Sequence, residues 1–93
     1  MVVGRAVLEL IIPGADSLKA KRRVLRPLLQ DLRARFQVAA AEVDDLDLWA
    51  RSTLGVACVS NDGRHANEIL SRLVHWVEGV GTVELEDYLI EID

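Results

Sequence analysis

The apolar residues along this chain change period several times, and those changes mark out its elements. From Val2 to Ile12 they alternate. Ala6, Leu8, Leu10 and Ile12 fall on one face, while Arg5 and Glu9 fall on the other. Period two is the mark of a strand with one buried face. Pro13-Gly14-Ala15-Asp16 breaks it, and Ser17 is placed to cap a helix. From Leu18 to about Arg35 the period becomes helical, with Leu18, Leu25, Leu28, Leu29, Leu32 and Phe36 sharing one stripe. Pro27 lies on the opposite side of that helix, where a lost backbone hydrogen bond bends the rod around a core. The spacing predicts one kinked helix. A break into two helices near Arg26 is the competing reading.

Gln37–Val43 reads as a short alanine-rich strand, and Asp44–Arg51 as a connection. Thr53–Ser60 reads as a strand with Leu54, Val56 and Cys58 inward. Ser60-Asn61-Asp62-Gly63 is a turn that can also cap a second helix over Arg64–Glu78, with Ala66, Ile69, Leu70, Leu73 and Val77 facing in. Gly79 and Gly81 end that helix, and Thr82–Ile92 is the last strand. The order β-α-β-β-α-β predicts an α+β, ferredoxin-like split β-α-β sandwich. Its four-stranded antiparallel sheet carries both helices on one face. The other face would present Val3, Val7, Ile11, Ala57 and Val59, and an apolar face of that kind is expected to be covered. The expected cover is a homodimer, formed across the open face or through edge strands.

At 93 residues the chain is one domain, residues 1–93. No run approaches the roughly 20 apolar residues that span a bilayer, so no membrane association is expected. The opening Met1-Val2-Val3-Gly4-Arg5 does not read as a signal peptide. The single cysteine, Cys58, excludes an internal disulfide framework and fits a reduced, cytoplasmic setting.

The formal net charge of −4 argues against a generic nucleic-acid binder, but the charge is unevenly distributed. The first helix holds Lys19, Lys21, Arg22, Arg23, Arg26, Arg33 and Arg35 against Asp31 alone. Several of these cations crowd the positive end of the helix dipole, at a cost of about 0.3–1 kcal/mol each when exposed. Three readings follow. The cations Lys19, Lys21, Arg22, Arg23 and Arg26 bind phosphates of an RNA or ribosomal particle. Alternatively they pair with Asp44, Asp45, Asp47, Glu84, Glu86 or Asp87, within the chain or between subunits, or dock on an acidic surface of a protein partner with Trp49 as anchor. Or they form a plain solvated face.

Catalytic and metal chemistry find little support. No catalytic residue, metal ligand or cofactor is assigned, and an enzyme is not expected. His65 and His75, ten residues apart on one helix, cannot converge on a metal. Cys58 alternates with core residues and reads as an inert thiol. The Asp44–Asp47 segment lacks calcium-loop spacing, leaving metal-assisted hydrolysis or small-ligand binding there as a remote alternative. A sheet poor in aromatic residues disfavours base stacking on its face. Trp49, between a polar loop and a strand, either plugs the core or anchors an interface, with Asp47 and Arg51 beside it.

Several words of the sequence are specific. They include Ile12-Pro13-Gly14-Ala15, Ser17-Leu18-Lys19-x-Lys21-Arg22-Arg23-Val24, Ala41-Glu42-Val43-Asp44, Asp47-Leu48-Trp49-x-Arg51 and Val59-Ser60-Asn61-Asp62. With these words the chain resembles, over essentially its whole length, the YlxP-like family of small bacterial proteins. The resemblance implies a ferredoxin-like fold and no established enzymatic activity. Its genes often neighbour those for translation initiation and ribosome maturation, which implies an RNA- or ribosome-associated role. The polar positions it carries over are Ser17, Lys19, Lys21, Arg22 and Arg23, with Glu42, Asp44, Asp47, Trp49 and Arg51.

Overall fold

The structure is a computed structural model that describes residues 1–93. Its elements are β1 (Val2–Ile11), α1 (Leu18–Phe36), β2 (Ala39–Asp44), β3 (Arg51–Ser60), α2 (Gly63–Glu78) and β4 (Glu84–Ile92). The sheet order is β2-β3-β1-β4 and every neighbouring pair is antiparallel. This is the ferredoxin-like α+β arrangement read from the sequence.

The even positions of β1 build one wall of the core: Ala6, Leu8 and Leu10 are buried, and so is Ile12 just beyond the strand. Their partners in β3 continue that wall, with Gly4 opposite Cys58, Ala6 opposite Val56 and Leu8 opposite Leu54. Leu25, Leu28 and Leu32 of α1 close it from above, as do Ala66, Leu70, Leu73, Val74 and Val77 of α2. Cys58 lies within this cluster.

At Gly4, β1 packs directly against α2. A Cβ there would sit 3.0 Å from Cys58 Sγ, 3.0 Å from Leu70 Cδ1 and 3.3 Å from Ala66 Cβ. Overpacking a filled core costs about 1–3 kcal/mol. Gly4→Val is expected to fall in that range, read as a lower urea midpoint at unchanged m-value.

The element ends depart from the sequence reading at places with clear causes. Ser17 caps α1 as expected, accepting from the Ala20 amide at 3.0 Å. The helix then runs unbroken through the exposed Pro27, so the break near Arg26 does not occur. It ends on Gln37, which takes a left-handed conformation (φ 53°) and donates its N–H to Arg33 O. Gln37 therefore belongs to the helix cap, and β2 starts two residues later. At the second helix Asp62 is the cap, its carboxylate accepting from the Arg64 amide at 3.1 Å. β3 begins at Arg51, and β4 only at Glu84.

The open sheet face carries the apolar residues expected of it and more. Val7 and Val59 are exposed there, joined by Leu89 opposite Val7 and by Ala39 and Ala41 of β2. Val43, displaced by the irregular register between Glu42 and Asp44, lies against Gly55. Arg5 on this face is ion-paired with Asp93, whose hydrogen bond and charge raise the guanidinium pKa further.

Candidate functional site

Helix arithmetic sorts the cations of α1 into groups before any contact is considered. At 100° per residue, Lys19, Arg22, Arg23 and Arg26 fall within an arc of about 100°. Lys21 lies about 160° from Lys19, in the middle of the arc that holds Leu25, Leu28 and Leu32. The structure follows this arithmetic.

Lys21 is 2% exposed and is the only buried cation in the chain. Its ammonium donates to Asp45 O and Leu48 O, each at 2.7 Å, and pairs with Glu42 Oε2 at 2.6 Å. Ser52, itself buried, donates to the same Glu42 oxygen at 2.7 Å. All three donor positions of the ammonium are therefore filled. The expectation that Lys21 contacts an external phosphate is corrected: its helical position points it under α1, into the end of the core. Two further cations are also committed. The Arg33 guanidinium donates to Ala40 O at 3.2 and 2.7 Å, tying α1 to the edge strand β2. Arg35 lies 5.0 Å from the Trp76 ring, a cation–π contact, and Phe36 meets the same ring edge-on at 6.1 Å.

Lys19, Arg22, Arg23 and Arg26 remain. All four are exposed, and none makes an ion pair or a side-chain hydrogen bond within the chain. With Pro27 they line an open surface depression. No acidic residue occupies the first turn of α1. The acids named above as internal partners are engaged elsewhere or stay unpaired. Glu86 pairs with Arg51, and Asp45 accepts from Thr53 Oγ1 at 3.0 Å. This face is thus a concentration of positive charge left uncancelled by side chains of the same chain.

The other candidate residues gather at the β2–β3 connection. Asp47 and Trp49 are exposed there, and Arg51 begins β3 on its ion pair with Glu86. Trp49 does not plug the core. No three His, Cys, Asp or Glu side chains are grouped as a metal site, and His65 and His75 are exposed along α2. No helix is long and apolar enough to cross a membrane.

The functional group missed in the sequence is the Lys21–Glu42–Ser52 network. Its signal was present, because Lys21 falls inside the apolar arc of a helix whose other cations fall outside it.

Fold and site together define a small ferredoxin-like α+β domain with one bare basic helix face. The family described as "Protein of unknown function (DUF503)" matches residues 3–90, and this chain belongs to that family. It is 32% identical over 83 residues to the "Uncharacterized protein YlxP" of Bacillus subtilis (strain 168), an alignment covering 89% of this chain and 90% of that relative.

Proposed function

We propose that this protein is a non-catalytic, cytoplasmic RNA-binding protein that docks on a ribosomal particle, with Lys19, Arg22, Arg23 and Arg26 holding backbone phosphates. The observation that carries the reading is the division of labour along α1. Three of its seven cations are engaged by partners within the chain, while four on one arc have none. Lys19 in the first turn opposes the helix dipole, and Arg22, Arg23 and Arg26 repel it and one another at i, i+3 and i, i+4 spacing, a cost that phosphates offset. Arginine forks suit phosphate oxygens. From Lys19 to Arg26 the stripe extends about 10 Å along the axis, at 1.5 Å per residue, enough to meet adjacent phosphates.

The test is co-sedimentation with ribosomal particles at two salt concentrations, with and without ribonuclease. Wild-type protein is expected to sediment with the particles at low salt and to be released by high salt or ribonuclease. The Arg22→Glu/Arg23→Glu variant is expected to stay in the supernatant. Unchanged retention of that variant would contradict the reading. Retention lost in the variant but insensitive to ribonuclease would assign an acidic protein surface instead.

The same reading takes the working unit as a homodimer that covers the open sheet face. Its support is the set of exposed apolar side chains Val7, Val59 and Leu89 on that face. Leu89→Asp is expected to give a monomer in sedimentation equilibrium with the circular dichroism unchanged. A monomeric wild-type chain would remove this part of the reading.

A further inference from the structure

The connection between β2 and β3 is held more firmly than a solvent loop requires. Leu48 N donates to Asp45 O at 3.1 Å, closing a four-residue turn. The buried Lys21 ammonium then bonds both Asp45 O and Leu48 O at 2.7 Å, gripping the two ends of that turn. Asp45 takes a left-handed conformation (φ 60°), unusual for a residue with a side chain. Thr53 Oγ1 fixes its carboxylate at 3.0 Å. Just beyond the turn, Ile12 N donates to Ala50 O at 2.8 Å.

The side chains displayed by this braced backbone are large and apolar. Leu46 is 58% exposed, Leu48 47% and Trp49 54%. Three such residues within four positions form a concentrated apolar tip, and exposed apolar surface of this kind marks interaction sites. A turn ordered in advance also spares the entropy that binding would otherwise have to offset. Tryptophan is among the side chains that dominate interface energetics.

We propose that residues 45–50 form a protein-docking tip whose partner is a different protein bearing an apolar cleft with a basic rim. The chemistry of the turn selects that occupant. Asp44 and Asp47 are exposed in or beside it, so phosphates of a nucleic acid are repelled, and the one ring able to stack on a base, Trp49, stands beside that negative charge with no cation of the turn to hold a backbone. A two-fold contact between copies of this chain at the tip sets the same patch against itself, bringing those carboxylates together. A cleft that takes up Trp49 and the leucines, with lysine or arginine at its edge, meets both the apolar and the acidic parts. The inference is independent of the phosphate reading, because Lys21 grips the turn from the side of α1 roughly opposite the bare cations.

The test places a photo-crosslinking benzoylphenylalanine at position 46 of the full chain in its native cells. The expected product is a ribonuclease-resistant adduct with one protein, identified by mass. Titration of that purified protein is expected to show affinity weakened about tenfold or more by Trp49→Ala. The Arg22→Glu/Arg23→Glu variant is expected to bind it within twofold of wild type. Lys21→Met, which leaves every tip side chain in place, is expected to weaken binding and to speed amide exchange at Leu48. Should that variant fail to fold, the exposed-site Trp49→Ala comparison decides. An adduct to RNA, an adduct to a second copy of this chain, no adduct, or unaltered binding by Trp49→Ala would each overturn the proposal.

Discussion

Lys21→Met is expected to cost about 3 kcal/mol, at the lower edge of the range for removing one member of a buried ion pair. The methionine keeps most of the apolar stem in place, so the loss is not one of volume. It is the loss of an ammonium that satisfies two backbone carbonyls and a carboxylate at once. Glu42 is 19% exposed, so water reaches it in part and the penalty stays below the extreme. The two carbonyls, Asp45 O and Leu48 O, lose their strongest donor. For a domain of about 90 residues the predicted change lowers the melting temperature by roughly 12–24 °C. Urea unfolding followed by circular dichroism checks it. A Lys19→Met control, two residues away on the exposed arc, is expected to stay within about 0.5 kcal/mol. The double variant Lys21→Met/Glu42→Leu should recover part of the loss, because no uncompensated charge is then left behind. Equal effects at positions 19 and 21 would contradict the assignment of Lys21 to the interior.

The second large effect is on binding. Arg22→Glu/Arg23→Glu is expected to weaken the affinity for a single-stranded oligoribonucleotide by about tenfold or more at low salt. The change removes two of the four cations proposed to hold phosphates and places two negative charges beside the remaining pair. Both positions are exposed and free of internal partners, and the exchange relieves like-charge repulsion near the start of α1, so the urea midpoint should be no lower than that of wild type. That midpoint separates loss of binding from loss of structure. Arg33→Gln, by contrast, removes the fork on Ala40 O and is expected to act on stability more than on RNA. The two arginine sites differ in what they touch within the chain, and the two measurements read out that difference.

Much of the fold was legible in the sequence, because its elements obey simple periods. The alternation of Ala6, Leu8 and Leu10, the Ser17 cap and the leucine stripe of α1 each state a local preference that the tertiary packing agrees with. Element ends were less legible. Gln37 reads as part of a strand by its neighbours, yet its left-handed backbone ends α1, a choice set by closure of the last helical turn. The site was legible in part. Composition showed an excess of cations on α1, but charge alone does not say which of them are free. Lys21 looks like its neighbours until its angular position is compared with Leu25 and Leu28. Its acceptors, the Asp45 and Leu48 carbonyls, are backbone atoms 24 and 27 residues away, which no side-chain pattern reveals. Nor does the sequence indicate that Trp49 remains exposed, since a tryptophan at a strand entry fits the end of a core equally well.

The central claim is that four side chains on one arc of α1 contact RNA phosphates. The salt dependence of wild-type affinity for a single-stranded oligoribonucleotide tests it most directly. Releasing the counterions of four phosphates predicts a slope of log K against log salt near −2.8, at about 0.7 per contact. A slope indistinguishable from zero, or no binding at low salt, would contradict the account.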